Sequence, residues 1–333
     1  MQELYHVPAK LEPVYFSYIW GGTLLRESLG KPIPSDDIGE SWEVSAHPKG
    51  QSVLATGPAA GMPLGQYAAH PNFQGKAPFE RFPLLIKLLG AQSNLSVQVH
   101  PSDANCRPGE AGKAEAWYVI DCQPGAELIY DIEGTKEEFA AAVAGGRMAE
   151  RLRRLAVRPG DVLDIPAGMV HALIAGIVIY EVQQNSDTTY RLYDWDRVDA
   201  VTGKPRELHV EAALRVIEPK GGKGPVAGRV SREDGGVRTV YISNPYYTLE
   251  KIELTGAFTD AWFDSFATYT VLDGEGVVRK AGQECFAFGR GDSFVSPAAA
   301  GPVELLGRAT ILKSHVPPRE DYDRWLAALP AGE

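Results

Sequence analysis

Seven histidines are spread along 333 residues, and two of them stand where metal chemistry can be assembled. In LSVQVHP (95–101), extended-strand alternation puts Ser96, Gln98 and His100 on one face and Leu95, Val97 and Val99 on the other. The apolar set belongs in a core, so the polar set points into a second space, which in a barrel is the lumen. GKAEAWYVI (112–120) likewise sets Lys113, Glu115 and Trp117 on one face, and GDVLDIPAGMVHAL (160–173) delivers His171 just after a Pro-x-Gly turn. Gln98, His100, Glu115 and His171 together offer an amide oxygen, two imidazoles and a carboxylate. That donor set suits a borderline divalent ion, zinc first, and leaves a coordination position open for substrate. The plainer alternative for a strand histidine is a hydrogen-bonded core or surface residue, and His6, His47, His70, His209 and His315 are read that way. For Glu115 the plainer alternative is a salt bridge to a neighbouring Lys or Arg. A carboxylate in so apolar a strand needs a partner in either case.

The elements that must position these groups are mostly strands. Gly (35) and Pro (24) punctuate the chain throughout. Strand-like segments follow at short intervals: SWEVSA, PLLIKLLG, LSVQVH, EAWYVID, AELIYDI, DVLDIPA, HALIAG, VIYEVQQ and TYRLYDW. Helical patterning is local. It covers 135–155, where Thr135 and Glu138 suit a capping box, then 206–219, and YDRWLAAL near the C-terminus. GGKGPVAG (221–228) reads as a loop and domain joint.

A faint internal repeat adds to this. EAWYVID and GDVLDIPAG in the first half find counterparts in ATYTVLD (267–273) and GDSFVSPAA (291–299). The economical account is a duplicated β-barrel whose first copy carries a helical insertion near 135–155, with domains over 1–228 and 229–333. The repeat carries Glu115 onto Ala267 and His171 onto Pro302, and no histidine occurs between 210 and 314. One metal per chain is therefore expected, with the second barrel as a metal-free scaffold.

Composition bounds the partners. Lys and Arg number 33 against 43 Asp and Glu, a formal charge of −10. Such a surface repels a phosphate backbone, and no basic run offsets it, so no nucleic-acid partner is expected. A phosphorylated small molecule must instead be met by a few cations placed inside a pocket. The longest apolar stretch, FPLLIKLLGA, is too short to span a bilayer, and the N-terminus lacks a signal-like apolar region. Three widely spaced cysteines (Cys106, Cys122, Cys285) without a C-x-x-C predict neither a disulfide framework nor a thiolate zinc cage, and fit a cytoplasmic protein. No P-loop, nucleotide fingerprint or Gly-x-Ser-x-Gly elbow is present.

The spacing of Gly160, Pro166, Gly168 and His171 resembles the second metal motif of the cupin superfamily, with Ala175 where that motif usually has Asn. Gln98-Val-His100 replaces the usual His-x-His of the first motif. FPLLIKLLGA, LSVQVHPSD, GKAEAWYVID, GDVLDIPAGMVHAL and QQNSDTTYRLYDWDR, in this order over about residues 15–200, closely resemble the type I mannose-6-phosphate isomerases, short bacterial form. The resemblance implies two cupin (jelly-roll) barrels and a zinc enzyme interconverting mannose 6-phosphate and fructose 6-phosphate. It places the zinc on Gln98, His100, Glu115 and His171, the catalytic arginine on Arg191, and further site residues on Lys87, Lys113 and Asp187. Ser96, on the ligand face, joins Lys87 as an expected substrate contact. The base that carries the proton between C1 and C2 stays open among Asp187, Lys113 and a metal-bound hydroxide. Leu173 replaces an aromatic of larger members, and their large helical domain is reduced to about 135–155. The alternatives are a metal-retaining cupin that binds sugars without turnover, or another metal-cupin sugar enzyme. A monomer or homodimer is expected.

Overall fold

The computed structural model describes residues 2–199, 203–260 and 263–330. Among these residues the strands form three sheets and the helices are short. A seven-stranded sheet runs Val162–Ile165, Glu115–Cys122, Ile177–Gln184, Leu84–Ala91, Ile38–His47, Val14–Gly22, with Gly50–Gln51 paired on the side. A five-stranded sheet runs Leu152–Ala156, Glu127–Ile132, His171–Ala172, Val97–Val99, Tyr190–Tyr193. Trp117, Leu163 and Ile179 of the larger sheet share one buried cluster with Leu128 and Tyr130 of the smaller, so the two inner faces enclose a common interior. The outer face of the five-stranded sheet is covered by helices Lys136–Ala144 and Val210–Val216, through Phe139, Ala213 and Val216.

The remaining strands form a ten-stranded sheet from the C-terminal part of the chain, joined by Ala9–Glu12 and Val53–Leu54. Leu11 lies opposite Ser293 on one side and Leu54 on the other, so Ala9–Glu12 and Val53–Leu54 extend the C-terminal sheet. Val44, Ile86 and Tyr180 on the back of the seven-stranded sheet bury against Leu249, Val295 and Leu312 of this sheet. The site-bearing sheet is thus backed by apolar packing, and its polar side chains turn to the other face. No helix among the described residues is long and apolar enough to cross a membrane, and all three cysteines are free thiols.

The internal repeat is present in the strand register. Glu115 pairs with Ile165, and their counterparts Ala267 and Ser296 pair in the same way. The Gly-Asp turns match as well. Gly160 donates its N–H to Val119, and Gly291 donates to Val271, both glycines having positive φ. The segment 135–155 departs from expectation. Thr135 caps a helix through a reciprocal box with Glu138, but the helix stops at Ala144 before Gly145 and Gly146. Leu152–Ala156 is instead an edge strand paired with Glu127–Ile132. Leu152 packs on the outer cluster and Leu155 on the inner one, and satisfying two cores outweighs local helix propensity. The 206–219 helix likewise shortens to Val210–Val216, and the C-terminal one covers Arg319–Ala327.

Asp131 secures the strand that lies beside His171. It adopts a φ of 83°, and its buried carboxylate accepts the N–H groups of Ile132, Lys220 and Gly221 at 2.7–2.8 Å. Its own N–H donates to Val170, next to His171. This ties the 220–222 loop to the five-stranded sheet. Asp131→Ala leaves those donors unpaired and strains the backbone, so it should lower unfolding free energy by about 2–4 kcal/mol. A urea midpoint unchanged from the parent would refute this account of the loop.

Candidate metal centre and its pocket

The expected ligands converge between the two sheets. Gln98 lies in register with His171 on one side and Arg191 on the other. Glu115 arrives from the facing sheet, its Oε1 3.3 Å from His171 Nε2 and its Oε2 3.4 Å from His100 Nε2. His100, Glu115 and His171 are fully buried, with potential ligand atoms within 4.8 Å of one another. Each ring is oriented by a main-chain carbonyl: His100 Nδ1 bonds Thr188 at 2.8 Å and His171 Nδ1 bonds Met169 at 3.0 Å. With Nδ1 as donor, both Nε2 lone pairs face Glu115.

The electrostatics suit a cation. Burial, reinforced by Lys113, lowers His100 to about 3, and burial lowers His171 as well, so both rings are neutral at pH 7. Burial alone raises Glu115, but Lys113 and the two histidines outweigh it and hold the carboxyl well below its ordinary range. Glu115 Oε1 has no hydrogen-bond donor, a costly condition for a buried anion. Two neutral imidazoles and an under-satisfied carboxylate are the donor types a borderline divalent ion takes. Gln98 lies 3.4 Å from His171 Nε2 through its amide nitrogen, and the same amide turned over presents its oxygen.

Beside this cluster opens a pocket of about 350 Å³. Ser96, Gln98, Lys113, Lys87, Asp187 and Arg191 all line it, so the expected site residues share one space. Lys113 Nζ lies 2.5 Å from Glu115 and 3.0 Å from His100. Lys87 is buried between Glu40 (3.5 Å) and Glu181 (3.3 Å), whose charges overcome burial and raise its pKa. Arg191 donates Nη1 to the Glu207 carbonyl, and its Nε is buried without a hydrogen-bond partner. Asp187 stands at the exposed edge, paired to Lys49 and, at 3.5 Å, to His47; burial raises it, but Lys49 prevails and lowers its pKa.

Five further pocket residues escaped the sequence reading. Glu40 and Trp42 form the wall around Lys87, with Trp42 Nε1 donating to Glu40 at 2.6 Å. Glu181 is buried, accepts from Trp117 Nε1 at 3.0 Å, and has its pKa raised by burial and then by Glu115. The argument that marked Glu115, a carboxylate in an apolar strand, applies equally to Glu181 in IVIYEVQQ. Lys49 and Arg206 reach the rim from distant loops and carry no local signal. Arg206 donates Nε and Nη2 to Asp194, which also accepts from Arg197.

The C-terminal repeat repeats this geometry with the charges exchanged. Glu181 pairs with Lys87 and Trp117; the corresponding Lys313 pairs with Glu250 and Tyr269. By the same rungs, Glu40 corresponds to Arg238. A Glu–Lys–Glu triad has become Arg–Glu–Lys, and Ala267 stands for Glu115.

Known proteins can now be set beside these features. A family model for the phosphomannose isomerase type I catalytic domain matches residues 9–144, and one for the mannose-6-phosphate isomerase cupin domain matches residues 237–316. The mannose-6-phosphate isomerase ManA of Bacillus subtilis (strain 168) is 42% identical over 93% of this chain and 99% of its own. The chain belongs to the type I mannose-6-phosphate isomerases, short bacterial form, within the cupin superfamily. The mannose-6-phosphate isomerase of Streptococcus mutans is 38% identical over 92% of this chain and 98% of its own. A crystal structure of mannose 6-phosphate isomerase from Bacillus subtilis superposes with a TM-score of 0.87 at 37% identity, covering 93% of this chain and 99% of that one. A zinc-bound mannose 6-phosphate isomerase shares the fold at a TM-score of 0.76 and 18% identity, over 93% of this chain and 100% of that one. Family membership and the buried His–Glu–His cluster together support a metal-dependent sugar isomerase.

The lowered imidazole pKa values carry a pH signature. Unfolded histidines protonate near pH 6.5, whereas the buried ones resist. Stability from this source is complete above about pH 6.5 and is lost as pH falls toward His100's folded value of about 3. Chelator-treated protein should therefore show a falling denaturant midpoint from pH 7 to 4, with a shallower fall in His171→Gln. Equal slopes in the two proteins would mean that His171 is not a buried neutral ring.

Proposed function

We propose that this chain is a zinc-dependent aldose–ketose isomerase, interconverting mannose 6-phosphate and fructose 6-phosphate through an enediol(ate), with one zinc per chain. The reading rests above all on one observation: a buried, neutral-imidazole donor cluster beside a pocket with surplus positive charge in an otherwise acidic chain. The pocket lining includes five cations (Lys49, Lys87, Lys113, Arg191, Arg206) against three carboxylates (Glu40, Glu181, Asp187). A chain with a net charge of −10 overall gives no reason for this unless the substrate is an anion.

Gln98, His100, Glu115 and His171 hold the zinc, which when bound polarises the sugar's O1/O2 end as a Lewis acid. Arg191 lies across from Gln98 in the strand ladder and stabilises the negative charge that develops on the sugar oxygen, a role a permanently protonated guanidinium suits. Among the candidate proton carriers, Asp187 is a weak base because Lys49 holds its pKa down, and Lys113 is committed to Glu115. Glu181, whose carboxyl is raised by burial and by Glu115, is the better candidate for moving a proton between C1 and C2. Lys87 and Ser96 contact the sugar, and the rim cations Lys49 and Arg206 meet the phosphate. Lys87 is buried between two carboxylates, whereas Lys49 and Arg206 each face one, which leaves more positive charge for the phosphate at the rim.

The finer architecture belongs to the same reading. Each half is a cupin jelly-roll barrel, 1–228 carrying the metal and the short insertion, 229–333 serving as a metal-free scaffold, in a cytoplasmic monomer or homodimer. The substrate is a small sugar phosphate rather than nucleic acid.

Metal analysis with a coupled assay for fructose 6-phosphate tests the proposal; metal-replete protein that turns over neither phosphorylated nor free mannose rejects it. Arg191→Ala should retain zinc and lose about 10²–10³ in kcat, whereas His171→Ala should lose both zinc and activity. Arg206→Gln should raise KM for mannose 6-phosphate tenfold or more with a smaller effect on kcat. An unchanged KM would move the phosphate elsewhere in the pocket.

A further inference from the structure

We infer that Gln183 and Ser186 are positioning residues for the metal centre, acting through the turn that orients His100. The inference rests on the metal reading above and deepens it. The turn follows the strand Ile177–Gln184 and ends at Thr188, whose carbonyl accepts the His100 Nδ1–H at 2.8 Å. A main-chain carbonyl cannot choose its own direction; the turn must choose for it.

Two buried side chains do so. Gln183 is 0% exposed, and its Nε2 donates to the carbonyls of Gln184 (2.8 Å) and Ser186 (2.5 Å). Ser186 is 3% exposed; its Oγ donates to the Ala111 carbonyl at 2.9 Å and accepts the Thr188 N–H at 3.3 Å. The same turn grips the segment leading to Glu115. Gln184 exchanges hydrogen bonds with Ala114, N–H to carbonyl at 3.1 Å and side-chain Oε1 from N–H at 2.9 Å.

One bracket therefore aims two ligands that reach the centre from separate elements. The Ser186 hydroxyl joins its arms, toward Thr188 and His100 on one side and toward Ala111 and Glu115 on the other. Its loss removes the direct tie between the Thr188 N–H and the Ala111 carbonyl, leaving the Gln184–Ala114 bonds as the remaining link, and lets the two arms shift relative to each other. The His100 lone pair and the Glu115 carboxylate then no longer converge. Groups that orient metal ligands in this way are worth about 10–100-fold in metal affinity.

The test measures zinc affinity by chelator competition in the parent, Ser186→Ala and Gln183→Met, together with melting of each chelator-treated protein. The parent should bind zinc tightly. Ser186→Ala should bind it about 10–100-fold more weakly, while its chelator-treated form melts within about 4 °C of the parent. Gln183→Met, which keeps side-chain volume without the donors, should weaken zinc in the same direction and serves if Ser186→Ala does not fold. Zinc affinity within twofold of the parent in the folded variants overturns the inference, as does weakened binding accompanied by loss of cooperative melting in the metal-free form. A parent that binds no zinc would instead overturn the metal reading itself.

Discussion

A carboxylate with no solvent exposure dictates much of this molecule. Glu115 is an anion in a place where water cannot reach it, and an ion so placed must find its compensation in the protein. Lys113 lies against one oxygen, and two imidazoles face the pair. The other oxygen lacks a donor. Everything nearby is arranged around that requirement. The strand with Glu115 lies between Val162–Ile165 and Ile177–Gln184 in the seven-stranded sheet, and the five-stranded sheet brings His171, Gln98 and Arg191 across from it in adjacent register. Apolar packing on the back of the larger sheet keeps its polar residues turned inward.

The duplicated half shows what the same scaffold does without that carboxylate. Replacing Glu115 by Ala267 removes the need for a cation, and the neighbouring rungs carry Arg238, Glu250 and Lys313 in place of Glu40, Lys87 and Glu181. Arg238 and Lys313 are neutralised in place by Glu250 and Asp260, and the space beside them shrinks to about 10 Å³. That is room for about one water, against about 350 Å³ in the first half. On these matching rungs the two halves differ in charge pattern and in the space left beside them.

The parts of the site that were legible in the chain are those where chemistry and local periodicity coincide. Ser96, Gln98 and His100 share a face because a strand alternates, and His171 follows a Pro-x-Gly turn that the residues themselves encode. Glu181 was equally legible by the rule applied to Glu115, and was overlooked. Lys49 and Arg206 were not legible at all. Each lies in a loop with ordinary polar neighbours, and only folding brings them to the same rim. The stretch 152–156 shows the opposite limit. Its Leu and Arg content favours a helix, yet two apolar clusters on either side of a sheet edge draw it into a strand.

The sequence by itself determined the His100, Glu115 and His171 cluster, the predominance of strands, the internal repeat and the family, since each depends on residue type and short-range spacing. Tertiary structure alone decided which charges neutralise one another. Lys87 became the partner of Glu40 and Glu181, Asp187 that of Lys49, and Arg206 that of Asp194. Electrostatic energy falls with distance and rises with burial. Neither quantity can be read along a chain until the strands have been laid side by side.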